Sequence, residues 1–230
     1  MTHPDLSVEI GGIFFGSVQN RWAGKAASAI QKDRVPGRQS LTLTGFSGDA
    51  QADLTVHGGE EKAVHHYAFD HYAAWQSEGH MTPGTAAAAF GENITTIGLT
   101  EENLCIGDIL RLGSATVQIS QGRQPCWKLG FHTGNEKMPY LFQKTGRTGW
   151  YYRVLEEGGV AAGDRITLIE RRHPDWSVLR VTQARLTRRI SLEDAGVLAE
   201  MEALAPGWRQ AFGRMAGGEK TEDTSKRLGA

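Results

Sequence analysis

Ile106-Gly107-Asp108-Ile109-Leu110-Arg111-Leu112 and Ala162-Gly163-Asp164-Arg165-Ile166-Thr167-Leu168 share one pattern, a Gly-Asp pair set immediately before a β-type run. Glycine and aspartate accept the dihedrals of a tight turn that β-branched residues resist, so each stretch reads as a turn feeding a strand. Outward from these, Leu6 to Ile10, Leu41 to Thr44 and Ala115 to Ile119 alternate apolar and polar residues, the period of half-buried strands. With 29 glycines, many short strands and no regular alternation of strands with helices, a closed or partly closed β-barrel is expected rather than a doubly wound sheet. The fold class is α+β and mainly β.

Helices interrupt or follow this body. Val64, Tyr67, Ala68, His71, Tyr72 and Trp75 fall on one face of a helix, and Gly58-Gly59 with Glu60-Glu61 mark its start. The composition changes after Pro174. A weak helical stretch covers Val178 to Arg189, Ser191 and Asp194 resemble a capping box, and Trp208, Ala211, Phe212 and Met215 form an apolar stripe. We therefore divide the chain into a barrel domain over 1–174, an appended three-helix bundle over 175–216 and a polar, flexible tail over 217–230. The apolar face of the bundle is consistent with a homodimer.

Composition excludes several classes. Hydrophobic residues at 40% and charged residues at 22% are those of a globular protein, and no apolar run approaches the roughly 20 residues that cross a bilayer. Met1 to Ile10 lacks a basic region followed by an apolar stretch, so a cytoplasmic location is expected. A formal net charge of −1 argues against general nucleic-acid binding. The cations are unevenly placed, however. Between Gln121 and Arg153 six of them face Glu136 alone, and between Asn20 and Arg38 five face Asp33 alone. Two such stretches suit a small anionic ligand.

The residue that stands out is Cys126, in Gln121-Gly122-Arg123-Gln124-Pro125-Cys126-Trp127-Lys128-Leu129. Pro125 restrains the backbone, and Arg123 and Lys128 favour the thiolate. Cys105, between Leu104 and Ile106, reads as an inert buried cysteine. Two cysteines cannot build a disulfide framework or a four-cysteine zinc site. His57-Gly58-Gly59 offers backbone N–H groups to an anion. His57, His65, His66 and His71 cluster in sequence without the spacing of a zinc hydrolase. Gly91-Glu92-Asn93 reads as a turn that could face a ligand.

Several segments in order carry a family resemblance: Gly24-Lys25 through Ala29-Ile30, Gly48-Asp49 with Gln51-Ala52-Asp53, His57-Gly58-Gly59 with Lys62-Ala63-Val64, Phe90-Gly91-Glu92-Asn93, Ile106-Gly107-Asp108, Pro125-Cys126-Trp127-Lys128-Leu129, and Gly146-Arg147-Thr148-Gly149-Trp150-Tyr151. Over most of residues 5 to 216 the chain resembles the MOSC domain family, in particular its bacterial branch related to the 6-hydroxylaminopurine resistance proteins. The resemblance implies a MOSC β-barrel with a three-helix extension and a molybdenum cofactor of the molybdopterin type, with Cys126 as catalytic residue and metal ligand. It further implies reduction of a small N-hydroxylated substrate to the amine, with electrons from a flavoprotein reductase. Soft thiolate suits a redox-active metal, and cations suit the pterin's phosphate. Lys25, Arg38, His57, Lys62, Asn93, Arg123, Lys128 and Arg147 are the candidates to bind the cofactor. One departure is Gly122, where the family pattern has proline before the arginine. The alternative reading is a sulfur carrier or cofactor-delivery protein using a Cys126 persulfide; a non-catalytic anion-binding module would leave Cys126 unexplained.

Overall fold

The computed structural model describes residues 6–53 and 58–228. Its strands are β1 (Ser7–Gly16), β2 (Lys32–Arg34), β3 (Gln39–Thr42), β4 (Gly45–Phe46), β5 (Val64–Ala68), β6 (Ile94–Thr96), β7 (Ile109–Leu112), β8 (Ala115–Gly122), β9 (Trp150–Glu156), β10 (Gly158–Val160) and β11 (Arg165–Glu170). Its α-helices are α1 (Asp70–Ser77), α2 (Lys128–Thr133), α3 (Met138–Thr145), α4 (Val178–Thr187), α5 (Leu192–Glu200), α6 (Pro206–Ala216) and α7 (Ser225–Leu228). The main sheet runs β11-β7-β8-β9-β5-β6-β1-β2, and β1 pairs back onto β11, so the sheet closes into a barrel and leaves β2 as a short flap on β1. Closure removes the free edges that an open sheet would expose. Both Gly-Asp turns sit where the sequence places them, each immediately before a strand, β7 and β11.

Residues 64–75 differ from the expected helix. Val64 to Ala68 form a strand with all five residues buried, and only Asp70 to Ser77 are helical. The reason is position. β5 lies between β9 and β6, antiparallel to the first and parallel to the second, with both faces covered. Such a strand shows no apolar-polar alternation, and its apolar residues fell by chance on helical spacing. Gly58 to Lys62 therefore lead, through a 3-10 turn at Glu60–Lys62, into a strand rather than a helix.

Ile13, Leu110, Val117, Ile119, Trp150 and Ile166 fill the barrel, and Val178, Val181, Leu198, Trp208 and Phe212 of the C-terminal helices join the same core. Backbone bonds cross the 174 boundary as well: Ile106 N–H to Trp176 O, Val178 N–H to Leu104 O, Leu179 N–H to Glu101 O and Ala205 N–H to Ser120 O. Half of the expected capping box is present: the Asp194 N–H donates to Ser191 Oγ at 3.0 Å, while the Asp194 carboxylate accepts from Arg180 at 3.0 Å instead of reaching back to the cap. A second core of Tyr67, Tyr72, Trp75, Phe90, Leu129, Met138 and Phe142 lies under α1, α2 and α3. It anchors the segment that follows Cys126. Residues 217–228, expected as a flexible tail, carry α7 and lie against the cysteine segment, where the Trp127 N–H donates to Arg227 O and Arg227 Nη1 donates to Pro125 O.

Candidate functional site

Cys126 lies on the link between β8 and α2, half-buried. Two things fix that link. At one end Gly122 closes β8 against α4 so tightly that a Cβ there would overlap Thr182 Oγ1 and come within 3.1 Å of Thr182 Cβ. Any side chain at 122, proline included, collides with α4, which is a physical reason for the departure from the family pattern. At the other end Leu129 is fully buried in the second core, and its N–H closes a turn on Cys126 O.

The thiol borders two hollows. The inner one, about 90 Å³, is lined by Lys32, Asp49, His65, Asn93 and Arg123 among others; the outer cleft, about 530 Å³, is lined by Gln121, Gln124, Arg185, Glu222 and Arg227 among others. Cys126, Lys62, Lys128 and Tyr151 belong to both. The inner hollow alone is small for an organic ligand, whereas with the cleft it reaches the ~300–1,000 Å³ of typical small-molecule sites.

The charges in these walls are of two kinds. Lys32 and Asp49 form a buried pair at 2.5 Å, and Asp49 also accepts from Gly16 N–H at 2.7 Å and Asn93 Nδ2 at 2.8 Å. That carboxylate is satisfied and rigid, and burial holds the Lys32 ammonium below its ordinary range despite Asp49. Arg123 and Lys128, each only 7% exposed, meet no carboxylate among the described residues. Arg123 donates to Phe90 O at 2.6 Å and stands over the Phe142 ring; Lys128 donates to Ala27 O at 2.9 Å. Two buried cations that, among the described residues, are hydrogen-bonded to carbonyls and set against rings favour an anion in this hollow. Burial lowers the Lys62 ammonium as well.

His65 has its imidazole pushed well below the usual range, first by burial and then by Arg123. It is neutral in this cavity. Its Nε2 is buried and finds no hydrogen-bond partner of good geometry among the described residues. Burial likewise raises the Tyr151 phenol. Cys105 contrasts with Cys126 throughout: it is 3% exposed, bonded to Pro174 O, and burial with Asp108 pushes its thiol up to about 11.

Of the residues singled out in the sequence, the structure gathers Lys62, Asn93, Arg123, Cys126 and Lys128 around one cavity. Lys25 lies across Trp127, 5.7 Å from that ring, and lines a neighbouring hollow with Phe131. Arg38 and Arg147 are not brought there. Arg38 forms a two-point pair with Asp164 at 2.8 and 3.0 Å, and Arg147 does the same with Glu78 at 2.8 and 3.0 Å while covering Trp75. Both guanidiniums tie loops together. His57 lies outside the described residues. Sequence reasoning missed His65, Lys32, Asp49, Tyr151 and the Arg185–Glu222–Arg227 wall. Asp49 and Tyr151 stood in quoted motifs without a role; the wall gives no local signal, since its members come from α4 and the last residues of the chain.

The profile of the MOSC domain matches residues 53–167, which span the cysteine segment and most of the barrel. The chain belongs to the MOSC domain family. Protein YiiM of Escherichia coli (strain K12) is 36% identical over 217 residues, 94% of this chain and 96% of that protein. A protein of Gibberella moniliformis (strain M3125 / FGSC 7600) described as "Reductase" is 39% identical over 204 residues; the match takes in 86% of this chain and 34% of that longer protein. The crystal structure of YiiM from Geobacillus stearothermophilus superposes with a TM-score of 0.77 at 31% identity, covering 91% of this chain and 99% of that one. Among the described residues no three His, Cys, Asp or Glu side chains converge as a metal site. No helix among them is long and apolar enough to cross a membrane.

Proposed function

We propose that this MOSC protein is a molybdenum-cofactor-dependent reductase of N-hydroxylated compounds, of the kind that detoxifies 6-hydroxylaminopurine, with Cys126 as the metal ligand. The observation that carries the reading is the thiol itself, set between two hollows whose shared wall holds Lys62 and Lys128 with Arg123 behind. The donor set fits the group. A molybdopterin presents a phosphate and a soft metal, and the cavity offers buried cations for the first and the Cys126 sulfur for the second. The relative described as a reductase supports the direction of the chemistry.

When bound, the cofactor supplies the two-electron chemistry that takes the oxygen from an N–OH group, the balanced change being R–NH–OH with two electrons and two protons to R–NH2 and water. The chain's own part is positioning. Arg123 and Lys128 fix anionic groups through charge-assisted hydrogen bonds, and the Lys32–Asp49–Asn93 network keeps the floor from collapsing onto them. His65, held neutral, contributes an uncharged ring to the inner hollow, and Tyr151 brings a protonated phenol to the same wall. The electrons come from a separate flavoprotein reductase, since the sequence lacks a Gly-x-Gly-x-x-Gly dinucleotide turn.

Protein made in a host that synthesises the cofactor should retain about one molybdenum per chain and reduce 6-hydroxylaminopurine only with a flavoprotein or chemical reductant present. Cys126→Ser replaces the soft thiolate by a hydroxyl and should lose both metal and activity. A molybdenum-loaded Cys126→Ser protein reducing at the wild-type rate would overturn the ligand assignment. Labile sulfur on Cys126 with little metal would instead establish the carrier.

A further inference from the structure

The outer cleft has a wall that the reading above does not use. Arg185 projects from α4 with its side chain only 6% exposed, and its two terminal nitrogens hold the Glu222 carboxylate at 2.5 and 2.7 Å. Arg188, in the left-handed conformation at the end of α4 (φ +58°), brings Nη1 to 3.8 Å of the same carboxylate. Arg227 acts on Glu222 from α7, and together the three guanidiniums hold its carboxyl below the usual range. They are under-satisfied by it. Arg185 Nε and Arg188 Nε and Nη1 are buried without a hydrogen-bond partner among the described residues. Each guanidinium carries five N–H donors; Arg188 Nη2 also donates to Glu219, and Arg227 donates to Pro125 O and Gln143 Oε1, yet the three buried nitrogens just named still lack acceptors among the described residues.

Glu222 reaches this position from residues 219–224, which have no regular structure. It is a single negative charge placed where the donors suit a group with three oxygens and nearly two charges. Arg185, Glu222 and Arg227 line the same cleft as Cys126, so a molecule whose reactive end meets the thiol has its other end at this cluster.

We propose that Arg185 and Arg227 form a phosphomonoester subsite at the mouth of the cysteine cleft, and that Glu222 fills it from within the chain until such a ligand displaces it. Resting on the reading of Cys126 as the reactive centre, the subsite selects N-hydroxylated nucleobases carried as nucleotide monophosphates over the free bases. A tethered carboxylate competes as an intramolecular ligand at high effective concentration, so Glu222 sets a threshold for binding. Two sources share this chemistry, the substrate's phosphate and the cofactor's.

The test uses the full chain, purified without cofactor and titrated calorimetrically with adenosine 5′-monophosphate and with adenosine. The nucleotide should bind where the nucleoside does not. Glu222→Gln, which keeps the shape and removes the competing charge, should tighten the nucleotide by about tenfold or more. Arg185→Gln should abolish the preference, and Arg227→Gln, at a less buried position, should weaken it even if the first variant fails to fold. A Glu222→Gln protein that binds nucleotide no better than nucleoside overturns the proposal. Repeating the titration on cofactor-loaded protein separates the sources: retained binding assigns the subsite to the substrate, whereas lost binding assigns it to the cofactor's phosphate and overturns the selection of nucleotide substrates. Molybdenum content of the loaded wild-type and Cys126→Ser proteins is read independently, so failure of the Cys126 assignment is not confused with failure of the subsite.

Discussion

Cys105 and Cys126 differ in everything except their element, and the difference is measurable. Cys105 is buried with its thiol pushed up to about 11, whereas Cys126 faces a cavity. Brief treatment of the native protein with iodoacetamide at pH 8 should therefore add one label, at Cys126, by peptide mass spectrometry; equal labelling of Cys105 would contradict the packing. Gly122 is the second decisive residue. Gly122→Ala should lower stability by about 1–3 kcal/mol in urea unfolding, because its methyl group enters the space of Thr182. Thr182→Ala relieves that overlap and removes a hydroxyl that has no hydrogen-bond partner among the described residues. The double variant should then be more stable than the sum of the two single changes predicts, a coupling that separated effects would not show.

At the scale of an element, β5 carries its chemistry in its two-sided burial. His66 on that strand bonds Tyr152 Oη at 3.0 Å through Nδ1 and Thr96 Oγ1 at 2.9 Å through Nε2, and burial lowers it to about 3. His65 is lowered in the same sense, and His132 on α2 falls to about 4, again chiefly by burial. All three are neutral in the folded chain and titrate near 6.5 once unfolded. The unfolded state therefore takes up more protons below about pH 6.5, and stability present in full above that pH is lost as pH falls. Each histidine contributes up to about 1.4 kcal/mol per pH unit, over a window that ends near 4 for His132 and near 3 for His66. The buried Glu92 carboxyl, raised by burial, works in the opposite direction. His66→Gln keeps a hydrogen-bonding group and removes one titration. Its stability, measured by urea unfolding at pH 6 and pH 4.5, should fall less steeply than the wild type by about 1.4 kcal/mol per pH unit; parallel slopes would show that His66 is not neutral in the fold.

Across the whole molecule, barrel and helices depend on each other. Val178 and Val181 complete the barrel's core, and four backbone hydrogen bonds named above join the two parts. A chain ended at Arg172 uncovers that apolar face and leaves the Ile106 N–H without its acceptor on Trp176. Such a chain should lose its cooperative thermal transition, followed by near-ultraviolet circular dichroism, while a chain ended at Gly218 should keep one. A sharp transition in the shorter chain would show that the barrel closes unaided. The same continuity explains how residues at the chain's end reach Cys126: α4 is fixed by the barrel, and Arg185 on α4 fixes Glu222.

The amino-acid sequence by itself determined what local chemistry can encode. Gly-Asp turns before β7 and β11 and the Ser191 cap of α5 are legible because neighbours along the chain produce them. The family membership is legible for the same reason, as short motifs in a fixed order. Tertiary structure decided the rest. Only the closing of β1 onto β11 and the burial of both faces of β5 turn an apparent helix at 64–68 into a strand, since burial is a property of neighbours distant in sequence. Likewise charge alone could not separate Arg123 and Lys128, which meet no carboxylate among the described residues, from Arg38 and Arg147, which Asp164 and Glu78 neutralise from 126 and 69 residues away. Which cations remain to hold a ligand is set by where the fold brings the anions.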